Sequence, residues 1–317
     1  MKLKLILISC LIALSACSDS ESINQNQGAD KFDTSPPVNS AFTGHRKSVS
    51  ATSELRPPER IVDATIIPKP GFTAWTSHLL LLSKSGKIYS TNTGFGEMTD
   101  IAEGPFSDII GIPRGELPGL LLALDGNKQI RGFIENESGG FEPLDVYRFD
   151  EDLNGFCDQE SPSDEHFYGI VNGAIQKIDL DISDKAITLT KYGDSVEDGV
   201  QSCHLNSKGQ WTLVKHNGNN QSGASFVTNS YGTIKMTVSE QGIFANYDNV
   251  TYGLDIVPGL SISGIDDPSW IYTSSKNLGN TFNLGLTMIG GSENDRIVLI
   301  SNDYLARNLF GKNTGSQ

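Results

Sequence analysis

Four cysteines carry the most specific chemical signal in this 317-residue chain. Cys17 ends the stretch Leu14-Ser15-Ala16-Cys17, an aliphatic residue and two small residues before a cysteine. That is the pattern at which bacterial lipoproteins are cleaved and the cysteine is acylated. Before it lie a basic start, Met1 to Lys4, and an apolar run from Leu5 to Leu14 that is too short to span a bilayer permanently. Residues 1–16 therefore read as a lipoprotein signal peptide, with an ordinary cleavage site after Ala16 as the rival. Ser18, rather than Asp, follows the cysteine and favours the outer membrane, with the chain lipid-anchored and facing the periplasm. A triacyl anchor holds a domain at a surface without a transmembrane helix. Cys10 leaves with the signal, so Cys157 and Cys203 are the two thiols left over. In an oxidising envelope compartment such a pair is a disulfide candidate. A zinc site is the rival, weakened by the lack of matched histidines nearby.

The oxygen chemistry is more diffuse. Asp63, Asp108, Asp255 and Asp303 stand at the ends of apolar runs. Their ordinary role there is to accept backbone hydrogen bonds; their chemical one is to offer hard oxygens to a cation such as calcium. His166, His204 and His216 are scattered and read as surface or turn residues. Trp75, Trp211 and Trp270 read as core or inter-blade packing, and the acidic run "VYRFDEDLNG" as a solvated loop.

Composition bounds what these residues can serve. With 24 Lys and Arg against 38 Asp and Glu, the formal charge is −14. No basic cluster offers a footprint for nucleic acid or for docking on anionic lipid. Phosphorylated ligands stay open, because a bound cation can bridge two anions. Residues 17–60 comprise the lipidated cysteine and a tether poor in aliphatic side chains, which cannot offset its ordering entropy and is given no secondary structure. From Ile61 to residue 312 the chain is long enough for one substantial core.

The elements that must position the site residues are strands. Helical periodicity is nearly absent; short β-branched and aliphatic runs such as "HLLLLS", "GKIYSTN", "FYGIVNG" and "RIVLISN" alternate with turn combinations such as "DGN", "ESGG" and "SKG". Strands this short and frequent predict an all-β domain. At about 40 to 45 residues per blade they predict a β-propeller of about six blades, with a two-sheet sandwich as rival.

The segments "LNGFCDQESPSDEHFYGIVNGAIQKIDLD" and "VEDGVQSCHLNSKGQWTLVKH" resemble the centre of the β-propeller phytases. That family has a Gly-Phe-Cys strip, a Tyr-x-Phe-Val-Asn strand and a Glu-Gly-Cys strip in this order. Gly155-Phe156-Cys157, Tyr168 to Asn172, and Ser202-Cys203 occupy the same places. "VDATII", "LLSKSGKIY", "DIVPGLSI", "WIYTSSKNLGNTFNL" and "VLISNDY" resemble further family strips in collinear order. The resemblance implies a six-bladed, calcium-dependent propeller that hydrolyses phytate by holding phosphates and water on calcium.

Carried over residue by residue, the resemblance keeps Asp63, Asp108 and Asp303 as metal candidates, Lys84 as a phosphate-binding candidate, and Asn280 as a further survivor. Elsewhere it loses the family's residues. Gln201 stands for a glutamate, Asn206-Ser207 for an acidic turn, and Lys215-His216 for a Glu-Glu pair. Pro258 stands for another glutamate, Lys276 for a glutamine, and Gly126, with Lys128 nearby, for an arginine. Losing several carboxylates while gaining lysines reverses the local field and removes ion ligands. The expected protein is a degenerate phytase-like propeller with weak calcium binding and no assigned catalytic residue. It would bind an envelope protein or a phosphorylated small molecule, with a weakly active phytase and a structural adaptor as alternatives. Cys17→Ala is expected to move the protein from membranes into the soluble fraction with its fold intact; membrane retention in high salt would refute the anchor.

Overall fold

The computed structural model describes residues 44–94, 96–160, 165–183, 185–215, 222–228, 231–259, 262–292 and 295–311. All belong to the second of the chain's two units, Thr34–Gln317. Cys17, the signal segment and His216 lie outside the described residues, as does the side chain of Asn280.

The expected six-bladed β-propeller is present, built from six small sheets in a ring. Blade one runs outward from Ile61–Ile67 through His78–Ser83 and Lys87–Asn92 to Thr99–Glu103. Blade two runs from Phe106–Arg114 through Leu117–Asp125 and Gln129–Glu135 to Phe141–Pro143. Blade three runs from Leu153–Phe156 through His166–Val171 and Ala174–Ser183 to Ala186–Tyr192. Blade four is small: Asp158–Gln159 adds in parallel to Val200–Leu205, which pairs with Trp211–Lys215. Blades five and six start at Ser222–Thr228 and Pro268–Ser274. Two-residue turns match the strand twist where left-handed backbone is needed, as at Asn172-Gly173 (φ 53° and 78°) and Asp248-Asn249 (φ 50° and 63°).

The ring closes through residues that composition assigns to the tether. His45–Ser50 adds in parallel to Val250–Val257 on blade five, and Ser53–Leu55 adds antiparallel to Ile297–Ser301 on blade six. Among the described residues, strands of the propeller thus extend back from Ile61 to His45. An outer strand draws its order from the ladder it joins and needs few apolar side chains, here Val49 and Leu55. The run "VYRFDEDLNG" likewise carries structure: Tyr147–Arg148 pairs with blade two, Phe149 is buried, and Leu153 opens an inner strand. At the other end the chain forms a helix, Asn302–Phe310, that strand patterning misses. Its buried Leu305, Ala306 and Leu309 pack on blades five and six.

Apolar clusters sit between neighbouring blades. One joins blades six and one through Ile61, Leu81, Trp270 and Met288, and another joins blades two and three through Leu122, Phe156 and Phe167. Blade four leans on a smaller cluster centred on Cys157 and Cys203, whose sulfurs are bonded with Cα atoms 4.7 Å apart. The disulfide, not a zinc site, is the structure of this pair.

The parallel closing strand is held by an ion pair. Arg46 Nε donates to Asp255 Oδ2 at 3.0 Å, and a second guanidinium nitrogen meets Oδ1 of the buried Asp255. Arg46→Ala leaves that carboxylate without its cation and is expected to cost about 2 kcal/mol of unfolding free energy. An unchanged urea midpoint would show that this strand contributes nothing to closure.

Candidate functional site

Five of the six inner strands carry a bulge one turn of the pleat from their start. The register shifts between Ile61 and Asp63, Phe106 and Asp108, Leu153 and Gly155, Val200 and Ser202, and Pro268 and Trp270. A bulge leaves a backbone N–H outside the ladder, and a buried N–H needs another acceptor. Asp63 and Asp108 supply it. Asp63 Oδ1 accepts from Ala64 N at 2.8 Å and Oδ2 accepts from Ile109 N of the next blade at 3.1 Å. Asp108 Oδ1 accepts from Ile109 N at 2.8 Å and Oδ2 from Phe156 N of the blade after at 2.6 Å. Gly155 is required for this reach, since a Cβ there would stand 2.7 Å from Asp108 Oδ2.

The two aspartates lie close enough for each carboxyl to bear on the other's titration. Asp158, where blade three's inner strand crosses into blade four, joins them electrostatically. Burial pushes all three carboxyls up, and the charge of Asp63 adds to the rise at Asp108 and Asp158. Beyond them, Glu160 is buried and also pushed up by burial; it accepts from Ser275 N and Oγ and from Ser207 N, tying blade four to blade six. Burial and the charge of Asp158 push the Tyr272 phenol up as well.

Strand registers divide the remaining predicted residues between the two mouths of the ring. Lys84, Lys128, Gln201, Lys215 and Pro258 lie toward the mouth where inner strands begin. Asp303 and Lys276 lie at the opposite mouth, beyond Ser301 and Ser274. Lys84 is exposed in the turn after Ser83, and its N–H binds Arg60 O. Lys215 pairs with Glu197, and Lys128 with Asp152. Gln201 is the bulged residue of its strand, and its Oε1 is buried with no partner among the described residues. Asp303 belongs to the first helical turn and pairs with Arg307. Asn206 closes its own turn, accepting from Lys208 N and Gln210 N.

Two aromatic expectations need correction. His204 is no surface residue: it is fully buried, with Nδ1 accepting from Ser225 N and Nε2 donating to Thr273 O, both at 3.3 Å. Burial holds this imidazole neutral, down at about 4. Trp75 is half exposed on the short helix Gly71–Thr76 rather than packed, because that turn projects from the mouth. Trp270 does pack between blades, and its Nε1 donates to Ile61 O at 2.9 Å. Trp211 rests edge-on against Tyr168 beside the disulfide.

Sequence reasoning missed Asp158, Glu160 and a polar seam between blades one and two. In that seam His78 Nδ1 meets Ser90 Oγ at 3.0 Å, and Nε2 meets Glu135 Oε1 at 3.1 Å. Lys69 and the Gly119 N–H also bind Glu135. Nothing in the spacing of residues 69, 78, 90 and 135 marks them, since four separate elements bring them together.

The raised channel carboxyls set a pH dependence. A carboxyl whose folded pKa lies above its unfolded value contributes stability that is full below the ordinary carboxylate range and is lost as pH rises through the folded value. Asp158→Asn removes that loss. The variant is expected to be more stable than wild type at pH 8, with the difference vanishing by pH 4. A pH-independent difference in urea unfolding would contradict a buried, charge-crowded Asp158.

No family model matches this chain, and no curated protein sequence does. Among solved structures it is similar to the β-propeller domain of Cps50 (Swd1) from Myceliophteria thermophila. The TM-score is 0.50 at 11% identity, covering 80% of this chain and 99% of that one. The N-terminal domain of Nup159 aligns over 76% of this chain and 65% of that one, at 9% identity and a TM-score of 0.30. At such identity the likeness to Cps50 is one of fold: this chain is a six-bladed β-propeller.

Proposed function

We propose that this chain is an envelope lipoprotein whose phytase-like propeller has lost its calcium centre and serves as a binding or accessory module. One observation carries the reading: Asp63 and Asp108, the two metal candidates that lie side by side, are committed to the fold. Both oxygens of each accept backbone N–H groups. A cation taking these oxygens would have to compete with the bulge N–H donors.

Two further observations support it. The third candidate, Asp303, lies at the opposite mouth and is paired with Arg307. The position of the family's glutamate is the bulged Gln201, an uncharged amide. In-line attack on a phosphate needs cations, carboxylates and a positioned water at one mouth, and these residues do not supply that set. A module held at the outer membrane by Cys17 would instead present its mouths and rims to an envelope protein or a phosphorylated small molecule. The weakly active phytase of the sequence reading is the outcome that the test below would reveal.

The test is phosphate release from phytate across a calcium titration. Wild type is expected to show no chelator-sensitive release, and Gln201→Glu to restore none, because the ligands of such a site act together. Millimolar calcium is expected to leave the thermal midpoint unchanged, since a ligand bound to the folded state would raise it as RT ln(1 + [L]/Kd). Robust, chelator-sensitive turnover by the unaltered protein would overturn the proposal.

A further inference from the structure

The seam between blades one and two holds a chain of polar contacts that converge on Glu135. Ser90 lies on Lys87–Asn92 and His78 opens His78–Ser83, both on blade one, while Glu135 ends Gln129–Glu135 on blade two. All three line one groove of about 300 Å³, together with Lys69, Asn92 and Thr99. The ring of His78 is fixed edge-on against Phe141, with centroids 5.1 Å apart. Gly119 leaves the space that Glu135 occupies: a Cβ there would stand 3.2 Å from Oε2.

The protonation pattern follows from the partners. Burial alone would raise the Glu135 carboxyl, but hydrogen bonds from His78, Lys69 and the Gly119 N–H outweigh it and hold the group at about 2. Glu135 is therefore ionised and accepts only, so the His78 hydrogen sits on Nε2. In that tautomer Nδ1 offers a lone pair. Ser90 Oγ, 3.0 Å away, must be the donor. A serine hydroxyl donating to an imidazole whose far nitrogen is oriented by a carboxylate is the arrangement of an activated nucleophile, with the two ring nitrogens exchanged relative to the serine-protease case.

We propose that Ser90 is a nucleophile for acyl transfer from small esters, with His78 as its base and Glu135 as the residue that positions His78. Ser90 Oγ attacks the ester carbonyl carbon as its proton passes to His78 Nδ1. The bond to the leaving alcohol breaks, and that alcohol takes the proton from Nδ1. Water then attacks the acyl-serine, giving a proton to Nδ1. The carboxylic acid departs as Ser90 Oγ regains its proton. Lys69, on the wall of the same groove, has N–H donors beyond the one spent on Glu135 and can face the developing oxyanion. This site lies between two blades and involves neither calcium nor the channel carboxylates, so it stands or falls independently of the lost calcium centre.

The test treats the full chain with a fluorophosphonate probe and maps the adduct by mass spectrometry. The expected result is one adduct, on Ser90, absent in Ser90→Ala and at least tenfold slower to form in His78→Gln. Hydrolysis of p-nitrophenyl acetate is expected to fall in parallel. In Glu135→Gln, kcat is expected to drop at least tenfold with KM unchanged, whereas a merely loosened groove would raise KM. An unlabelled Ser90 in the wild-type protein, a result that needs no variant to fold, would overturn the proposal. Equal labelling of Ser90→Ala, or a Glu135→Gln variant with wild-type kcat, would overturn the corresponding role.

Discussion

The bulged inner strand is the constraint on which the rest of this propeller depends. A bulge tightens the twist of each blade at its start, but it strands a backbone N–H where water has little access. The structure answers by taking acceptors from the preceding blade. Asp63 reaches Ile109 N, Asp108 reaches Phe156 N, and Ser222 Oγ lies 3.4 Å from Ile271 N. Where Gly155 and Ser202 hold the equivalent place, no carboxylate is available, and blade four is pinned by the Cys157–Cys203 bond instead. Asp63 and Asp108 thus have a structural reason to exist before any catalytic one.

That reason changes how the family resemblance reads. A carboxylate at the mouth of a propeller suggests a cation ligand when considered alone. With both oxygens accepting N–H groups, it becomes part of the stitching between blades. Burial and mutual charge push these three crowded carboxyls up. The bulges give these aspartates a role in the fold that does not depend on any bound ligand.

The two mouths of the ring have different characters. The one where inner strands begin carries short turns and ion pairs, Lys128 with Asp152 and Lys215 with Glu197. The other carries the exposed side chains of Phe72, Trp75 and Leu117. The polar seam at Lys69, His78, Ser90 and Glu135 opens on this second side. Inner strands in a propeller all run the same way, so every loop leaving one is delivered to the same face. Variation accumulates there without disturbing the ring.

Much of this architecture was legible in the residues. Short strand runs and turn pairs such as Asn172-Gly173 specify an all-β chain, because they act over a few residues. Repeat length then points to about six blades. The pair Cys157 and Cys203 was legible by elimination. The closing strands His45–Ser50 and Ser53–Leu55 were not, because an edge strand takes its order from a ladder more than 200 residues away in the chain. The burial of His204 was not, since its partners Ser225 and Thr273 come from two other blades. Nor was the Ser90, His78 and Glu135 seam. The sequence by itself determined the strands, their turns and the acidic balance, all of which depend on neighbours along the chain. Only the tertiary structure decided which carboxylates reach the N–H groups of the next blade and which serine faces an imidazole, because closing the ring is what brings those distant groups within hydrogen-bonding reach.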